Sequence, residues 1–486
     1  MPLSQTTAVR REPTVPPDRT RRRHDGAVIG TLAFAGVSVA VMQSLLLPVV
    51  SRLPGLLHTS AGDATWIMTA TLLAAAVSTP IAGRLGDLYG KRRMVLAGLV
   101  LMTVGSLVSA ATSDYGLMIV GRALQGMAIG VVPLGIGIMR DVLPPERLGV
   151  ATGLMSSSVG VGGALCLPVA AFVAEHADWH VLFLATAGLG ALAAALVAMV
   201  VPASHDRAPG RFDFAGALTL SLAMVCLLLA ITKGAAWGWL SGTTLTLLLG
   251  AALLLAGFGV LELRREDPLV DLRATARRPV LLANTAALSV GIAYYAVSLT
   301  LPQLLQLPAE TGHGLGMSMV GAGLVMAPTG LAMMAISPLS ALLTARRGPR
   351  TALLAGLTVI AVSCAAGALL LGSVGRILVL VTAVGAGIGL AYAAMPALIM
   401  GSVDASETGA ANGLNTLMRF VGTSLSSSVI GTVLAQMTLS MDGTTVPSLR
   451  GCQVALLLAA AAVLAVLAAS PFLRDRTDRG GRTGEC

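Results

Sequence analysis

The chain of 486 residues is poor in charged and aromatic residues. Asp, Glu, Lys and Arg together make up 11% of it, whereas a soluble domain contains roughly a quarter charged residues. Apolar residues make up 55% and the mean hydropathy is +0.83, which leaves too little polar surface for a water-exposed protein. The net charge is +9, but aromatic residues at 3% are too sparse for base stacking. The composition predicts a protein embedded in lipid, without a nucleic-acid partner.

The chain also lacks the usual motifs of redox, metal and nucleotide chemistry. Its five cysteines include no CxxC pair, which argues against a disulfide framework and a zinc site. No G-x-x-x-x-G-K-[ST] sequence is present for nucleotide phosphates. No long apolar run contains a Ser–His arrangement or paired acids. We therefore expect no enzyme, no metal and no cofactor.

What the chain has instead is a series of long apolar runs. A bilayer core requires about 20 apolar residues per helix. Fourteen runs qualify, and we number them spans 1 to 14; they begin near residues 28, 64, 94, 116, 150, 181, 214, 243, 280, 318, 351, 376, 408 and 451. The first run is longer than the apolar region of a signal peptide, so we expect span 1 to be retained. The fold class predicted is an all-α integral membrane protein.

The basic residues predict the orientation of these spans. If the N-terminus is cytoplasmic, 26 of the 32 Lys and Arg residues lie on the cytoplasmic side. Six lie elsewhere, four outside and two within spans: Arg52, Lys233, Arg376, Arg450, Arg122 and Arg419. The positive-inside rule then places both termini in the cytoplasm. Thirty arginines against two lysines are typical of a G+C-rich bacterial genome, so we expect a bacterial plasma-membrane protein.

The two halves of the chain resemble each other. Residues 79–92 match 337–350 at an offset of 258, and 149–153 match 409–413 at an offset of 260. This repeat predicts two six-helix bundles with spans 7 and 8 inserted between them. The predicted divisions are a disordered cytoplasmic tail 1–27, a first bundle 28–202, inserted helices with their loop 203–264, a second bundle 265–472 and a tail 473–486.

The loop after span 2 carries the most specific motif. It reads Gly-Arg-Leu-Gly-Asp-Leu-Tyr-Gly-Lys-Arg-Arg over residues 83–93. It resembles the signature loop of the major facilitator superfamily, G-x-x-x-D-[RK]-x-G-[RK]-[RK], with Leu88 where a base is usual. The resemblance implies the major facilitator fold and a conformational switch formed by Gly83, Asp87, Gly90, Lys91 and Arg92. Asp87 and Arg92 are then expected to hold the cytoplasmic side closed; the alternative is a topology signal alone.

Spans 4 and 5 carry two further motifs. Arg122 and Gln125 resemble the R-x-x-Q-G motif of the superfamily, in which the arginine is implicated in proton coupling; a snorkelling arginine is the alternative. Span 5 is similar to the antiporter motif of exporters, with Cys166 and Leu167 where Gly-Pro is expected. The residues that carry this similarity are Gly160, Gly162, Gly163 and Pro168. Plain helix packing explains them equally well.

The start of span 7, Arg-Phe-Asp-Phe-Ala-Gly over residues 211–216, resembles the fourteen-helix drug:proton antiporter branch. Span 13 resembles the same branch over residues 413–422. Span 1 departs from it, because Val39 stands where that branch has an aspartate, and no span has Asp or Glu in its middle. The candidates for proton coupling are therefore Arg122 and acids near span ends: Asp63, Asp87 and Glu175. Asp63 has a second interpretation as the N-cap of span 2.

The resemblance predicts a proton-coupled antiporter that exports lipophilic small molecules by alternating access, typical of antibiotic resistance through multidrug efflux. The expected partners are a small-molecule substrate, protons and the lipid bilayer, and we expect a monomer. Candidate polar residues of the substrate cavity are Gln43, Arg122, Gln125, Tyr294, Tyr295, Gln303, Tyr392 and Asn415. Each has an inter-helix contact as its alternative role. An importer or uncoupled facilitator of the same fold, and a membrane sensor that moves nothing, are the alternative functions.

Overall fold

The computed structural model describes residues 19–46, 49, 53–59, 61–203, 210–404, 407–441 and 444–473. The predicted tails fall outside these residues, except for positions 19–27 and 473. Within the described part, fourteen helices are long and apolar enough to cross a membrane. The predicted number of spans and the all-α fold class are thereby confirmed.

The first six spans lie between Arg19 and Val200. Their bounds are Arg19–Ser44, Ala61–Tyr89, Lys91–Ala110, Tyr115–Val142, Pro145–His176 and His180–Val200, with a short helix Leu53–Leu56 after span 1. Span 4 contains a single 3-10 turn, Ala128–Gly130. Span 1 starts upstream of the expected residue 28, because its arginine-rich segment continues the helix. In this extension Asp25 pairs with Arg147 of span 5 at 3.3 Å.

The inserted pair and the last six spans follow. Their bounds are Phe214–Trp237, Gly242–Arg264, Arg278–Gln306, Met319–Arg347, Pro349–Leu369, Val374–Met400, Thr408–Gln436 and Leu449–Ala469. Span 10 is interrupted after Ala335 and resumes at Ser337. A short helix Leu272–Thr275 precedes span 9. After span 13, strands β1 (Thr438–Met441) and β2 (Thr444–Pro447) form an antiparallel hairpin that the sequence analysis did not predict.

Each set of six spans has its own apolar core. Leu32, Leu99 and Ile136 belong to the core of spans 1–6, and Val290 and Ile360 belong to that of spans 9–14. Large apolar side chains cover the outer surface as well, which is expected where the solvent is hydrocarbon rather than water. The two cores correspond to the two predicted bundles.

The inserted pair packs along the line where the two bundles meet. Ala217 and Leu220 of span 7 share a buried cluster with Ala76 of span 2 and Leu417 of span 13. Span 7 is therefore in contact with both bundles and covers one side of their interface, while span 8 packs on span 7.

The repeated segments supply the contacts between the bundles. A Cβ on Gly83 of span 2 would lie 2.5 Å from the carbonyl oxygen of Gly409 in span 13. On the other side, a Cβ on Gly153 of span 5 would overlap the hydroxyl of Ser337 in span 10. We call the end of the molecule that carries residues 83–93 and 341–350 the closed end. The end that carries residues 233–241 and 308–317 is the open end.

Candidate functional site

A cavity of about 710 Å³ lies between the two bundles towards the open end. This volume is within the range of about 300–1,000 Å³ that is typical of small-molecule sites. Spans 1, 2, 5, 7, 9, 10 and 13 contribute to its wall. Lys233 of span 7, Pro308 after span 9 and Pro447 of strand β2 also line it. A drug-sized molecule fits within such a cavity.

The wall of this cavity combines apolar side chains with uncharged polar ones. Met68, Met319 and Met326 provide pliable apolar surface. Of the described residues that line the cavity, Lys233 alone is charged, and its ammonium lies 4.8 Å from the centroid of the Trp66 ring. No described lining residue is a carboxylate. Apart from Lys233, the described part of the wall is therefore uncharged.

Three of the eight predicted lining residues are in the wall of this cavity. Tyr294, Tyr295 and Gln303 all extend into it from span 9. Tyr295 has its hydroxyl 3.5 Å from that of Ser427 in span 13. Span 9 thus provides much of the hydrogen-bonding capacity that a ligand meets.

The predicted lining residues of span 4 do not reach the cavity. Arg122 is 1% exposed and donates to Gln125 Oε1 at 2.6 Å and to the carbonyl oxygen of Met42 at 3.3 Å. Gln125 in turn donates to the hydroxyl of Ser106 at 2.7 Å. Because Arg122 and Gln125 lie three residues apart on one helix, they bind each other inside the first bundle, and Arg122 Nε is left without a hydrogen-bond partner in the described structure. Gln43 of span 1 is half-buried and is not a lining residue either.

Tyr392 and Asn415 lie around a second, much smaller cavity of about 30 Å³, between spans 4, 5, 12 and 13. The guanidinium of Arg419 lies 5.0 Å from the centroid of the Tyr392 ring. Asn415 donates to the carbonyl oxygen of Ala283 at 3.0 Å and to Asn284 Oδ1 at 3.1 Å. Both residues are therefore at the bundle interface, but outside the large cavity where they were expected.

At the closed end, Asp87 binds the beginning of span 13. Its two carboxylate oxygens accept hydrogen bonds from the amides of Gly409 at 3.1 Å and Ala410 at 2.9 Å. These amides are in the first turn of a helix that begins at Thr408, where N–H groups lack partners within the helix. Asp87 therefore caps a helix of the opposite bundle and also interacts favourably with its dipole.

Lys91 holds Asp87 in an ionic network within the first bundle. Its ammonium lies 2.9 Å from Asp141 Oδ2 and 3.7 Å from Asp87 Oδ1. The side chains of all three residues are at most 6% exposed. The stem of Lys91 passes over Gly137, where a Cβ would lie 2.9 Å from its Cδ atom. This arrangement fixes the carboxylate that reaches across the interface.

Arg92 does not hold the bundles together, contrary to the expectation from the motif. It donates to the carbonyl oxygen of Ala198 near the end of span 6, inside its own bundle. Gly90 connects spans 2 and 3 with a φ of 107°, a conformation that residues with a side chain rarely adopt. Arg92 and Gly90 therefore shape the turn, whereas Gly83 and Asp87 make the contact with span 13.

Arg140, at the end of span 4, makes a contact that the sequence analysis missed. It donates to the carbonyl oxygens of Met400 at 3.1 Å and of Val403 and Asp404 at 3.4 Å, and also to the hydroxyl of Thr408. These groups follow the end of span 12, where helix carbonyls lack partners and favour a cation. From the sequence alone, Arg140 is one of the basic residues that indicate the cytoplasmic side. Its position in the last turn of a span was the feature that indicated a capping role.

The glycines of the span 5 motif border span 10, span 1 and the large cavity. Gly160 packs on Met333 of span 10, and a Cβ on Gly162 would lie 2.7 Å from the carbonyl oxygen of Val37 in span 1. Gly163 lines the large cavity. Pro168 lies within the continuous helix Pro145–His176. These small residues let span 5 approach both bundles closely.

The last proton-coupling candidates fall partly outside the described structure. Asp63 is in the first turn of span 2 and Glu175 in the last turns of span 5, but neither side chain is within the described part. Among the described residues, no group of three His, Cys, Asp or Glu side chains is placed to hold a metal ion.

Comparison with known families is consistent with this architecture. The family model described as Major Facilitator Superfamily matches residues 32–427. The chain belongs to this superfamily. The major facilitator fold, the membrane location and the prediction that the chain is a transporter rather than an enzyme are thereby confirmed.

Three relatives have names that refer to resistance, export or transport. The tetracenomycin C resistance and export protein of Streptomyces glaucescens is 32% identical over 78% of this chain and 70% of its own length. Multidrug resistance protein 3 of Bacillus subtilis is 25% identical over 76% of this chain and 72% of its own. The probable actinorhodin transporter of Streptomyces coelicolor is 27% identical over 78% and 68%, respectively.

Solved structures share the fold of this superfamily member at low identity. The human organic anion transporter MFSD10 (TETRAN) aligns with a TM-score of 0.65 at 15% identity, over 94% of this chain and 100% of its own. The proton:xylose symporter XylE aligns with a TM-score of 0.63 at 11% identity, over 93% and 97%, respectively. These likenesses concern the fold alone.

Proposed function

We propose that this superfamily member exports lipophilic small molecules in exchange for protons, by alternating access. The observation that carries the proposal is the opposite state of the two ends. At the closed end Asp87 holds the first turn of span 13 and Arg140 holds the end of span 12, while at the open end a cavity of about 710 Å³ separates the bundles. This is the arrangement expected of an exporter that has just released its substrate.

The contacts at the closed end are few enough to be reversible. A hydrogen bond to a charged group contributes about 1.5–3 kcal/mol, and Asp87 and Arg140 make most of theirs to backbone atoms. When these bonds break, the small cavity around Tyr392 and Arg419 becomes accessible from the closed end. Substrate then enters the large cavity from that side, which the positive-inside rule predicts to be cytoplasmic.

Export is favoured over import by the named relatives, whose printed names refer to resistance and export. A proton that crosses a membrane potential of about 150 mV releases roughly 3.5 kcal/mol. That free energy supports a substrate gradient of a few hundredfold. One proton per cycle is thus enough to drive useful efflux.

The test is transport in everted membrane vesicles that contain the protein. We expect uptake of a neutral or anionic lipophilic dye to require an imposed pH gradient and to stop when an ionophore collapses it. Flux that is independent of the gradient would identify an uncoupled facilitator. Dye binding without flux in proteoliposomes would identify a sensor instead.

The orientation is tested separately. A cysteine that replaces Tyr89, which is 51% exposed at the closed end, is expected to react with a membrane-impermeant reagent only in everted vesicles. Reaction only in intact cells would place the closed end outside and contradict export by this route.

A further inference from the structure

Two buried carboxylates lie at the closed end of the inserted pair. Asp213 precedes span 7, and its Oδ1 accepts a hydrogen bond from the amide of Gly216 at 3.0 Å. Glu262 is in the last turn of span 8, and its Oε2 accepts one from the amide of Val270 at 3.3 Å. Asp213 is 5% exposed and Glu262 is 3% exposed. Each side chain therefore uses one oxygen to bind backbone.

The remaining oxygens of these two side chains both lie beside Gly216. Asp213 Oδ2 and Glu262 Oε1 are both buried and have no hydrogen-bond partner within the described structure. A Cβ on Gly216 would lie 2.5 Å from Glu262 Oε1 and 2.7 Å from Asp213 Oδ2. Two adjacent buried carboxylates are costly to ionise together, and a single shared proton removes most of that cost.

The charged groups around the pair come from several elements. Arg265 lies 4.0 Å from Asp213 Oδ1, but its side chain is about half exposed. From span 2, Arg84 is 5% exposed, and its Nε has no acceptor in the described part of the chain. Arg84 also lines a small cavity beside Asp271 and Glu407. Burial raises the pKa of Glu407, and the negative charge of Asp271 raises it further.

The positive charge of Arg84 acts both on Glu262 of the carboxyl pair and on Asp87 at the contact between the bundles. Its side chain borders Ala410 of span 13, whose amide is bound by Asp87. The same inserted pair packs on spans 2 and 13 through Ala217 and Leu417. A change of charge at Asp213 and Glu262 therefore acts directly on the groups that keep this end closed.

We propose that Asp213 and Glu262 share one proton while the bundles touch, and that this pair releases the transported proton at the closed end. The proposal rests on the proton-coupled export proposed above. The proton passes from the carboxyl pair to water, its bond to a carboxyl oxygen breaks as its bond to water forms, and no covalent bond to carbon changes. The pair then carries two negative charges, which attract Arg84 away from the start of span 13.

The direction of the pH dependence follows from this step. At low pH the pair is protonated and the closed end is stable. As the pH rises the proton is lost, and the contact between spans 2 and 13 weakens, by up to about tenfold per pH unit for one proton. The pair also provides a proton site in a chain that has no acid in the middle of a span.

The decisive variant is Glu262→Gln. The amide oxygen still accepts from Val270, while the amide N–H₂ donates permanently to Asp213 Oδ2 and so imitates the protonated pair. Asp213→Asn is a second mimic that keeps the N-cap of span 7. Glu266→Gln is the matched control, because Glu266 is exposed in the same loop.

The first measurement is hydrogen–deuterium exchange of the full-length protein in lipid nanodiscs, followed in peptides that cover residues 408–420. After correction for intrinsic rates, we expect the protection factors of these peptides in wild type and Glu266→Gln to fall about tenfold as the pH rises by one unit. Glu262→Gln and Asp213→Asn are expected to remain protected throughout. A purely structural pair predicts that all four proteins behave alike, which would overturn the proposal.

The second measurement is dye accumulation by proteoliposomes under a pH gradient. We expect both mimics to lose at least tenfold of the wild-type rate and Glu266→Gln to retain it. If wild type ignores the gradient, the proposed function fails, whatever the exchange data show. If wild type and the mimics accumulate dye equally, only the assignment of the proton pair fails. Loss of the folded protein in both mimics would also contradict it, since an amide can occupy the place of the shared proton.

Discussion

The hairpin after span 2 and its repeat after span 10 have the same backbone design. Gly90 and Gly348 occupy equivalent positions, with φ values of 107° and 84°. Two residues later each hairpin has an arginine that binds carbonyl oxygens at the end of another helix in its own bundle. Arg92 binds at span 6 and Arg350 at span 14. The repeat has therefore preserved the turn and its attachment.

The hairpins differ in one charge and in what that charge can reach. Asp87 corresponds to Ala345 at the offset of 258. The helix of span 13 begins at Thr408, so the amides of its next residues are free to bind Asp87. The helix of span 5 begins at Pro145, upstream of the segment that faces the second hairpin. One interface can thus be opened by breaking ionic hydrogen bonds, while the other is held by packing.

Removing the carboxylate charge of Asp87 is expected to have the largest effect on efflux. Asp87→Asn keeps at most one of the two bonds to the amides of span 13 and removes the interaction with Lys91. We expect at least a tenfold loss of dye efflux in cells, with less than a twofold change in protein abundance. Asp114→Asn is the matched control, because Asp114 also caps a helix but is exposed at the open end. Equal losses of efflux and abundance would reduce Asp87 to a folding residue.

Moving the charge to the other hairpin tests whether the partner helix matters. In the double variant Asp87→Ala with Ala345→Asp, the new carboxylate faces span 5, where helix amides already have partners. We expect efflux to stay at the level of Asp87→Ala alone, measured in the same dye assay. Recovery of more than half of the wild-type rate would show that the two interfaces are interchangeable.

Arg140 is expected to have a smaller effect than Asp87. Arg140→Gln retains one or two of its four acceptors around the end of span 12. We expect efflux to fall about three- to tenfold, since a charged hydrogen bond contributes about 1.5–3 kcal/mol and part of the contact remains. As a control, Arg147→Gln alters a nearby arginine that pairs with Asp25 inside the first bundle. A loss as large with Arg147→Gln would remove the special role of Arg140.

Substitutions of Gly90 and Gly348, the glycines of the two hairpin turns, are expected to have the smallest effect. The effect should be of similar size at both positions. Gly90→Ala and Gly348→Ala each force a side chain into positive φ, at a cost of about 1 kcal/mol. We expect similar decreases in the thermal midpoint of the purified protein for both. Gly250→Ala provides the control, because nothing lies within 4 Å of a Cβ at that helical position. A strongly unequal pair of shifts would contradict the equivalence of the two turns.

Sequence reasoning succeeded where the signal is local or repetitive. The length of the apolar runs determined the fourteen spans, and the offset between 79–92 and 337–350 anticipated the two bundles. It was less informative about polar residues within spans. Tyr294 lines the cavity whereas Arg122 binds Gln125 inside the first bundle, because the face on which a side chain lies depends on how the helices pack.

The same limitation applies to charges at the closed end. Arg92 and Arg140 are both basic residues beside span ends, yet only Arg140 crosses to the other bundle. The inserted pair was expected between the bundles in sequence, but nothing in its composition revealed that it contributes Thr232 and Lys233 to the cavity. Which helix lies against which is a property of the whole assembly rather than of any motif.

Asp87 accepts hydrogen bonds from the backbone amides of Gly409 and Ala410. These bonds therefore do not require particular side chains at those two positions. Short of proline, no exchange at those two positions removes the donors, although bulk at Gly409 is limited by Gly83. Consider a chimera that joins this first half to the second half of a distant superfamily member. Its closed end should still form, provided that its thirteenth helix starts at the equivalent residue. The reciprocal hybrid, with a foreign first half, would depend entirely on whether that half brings its own acid.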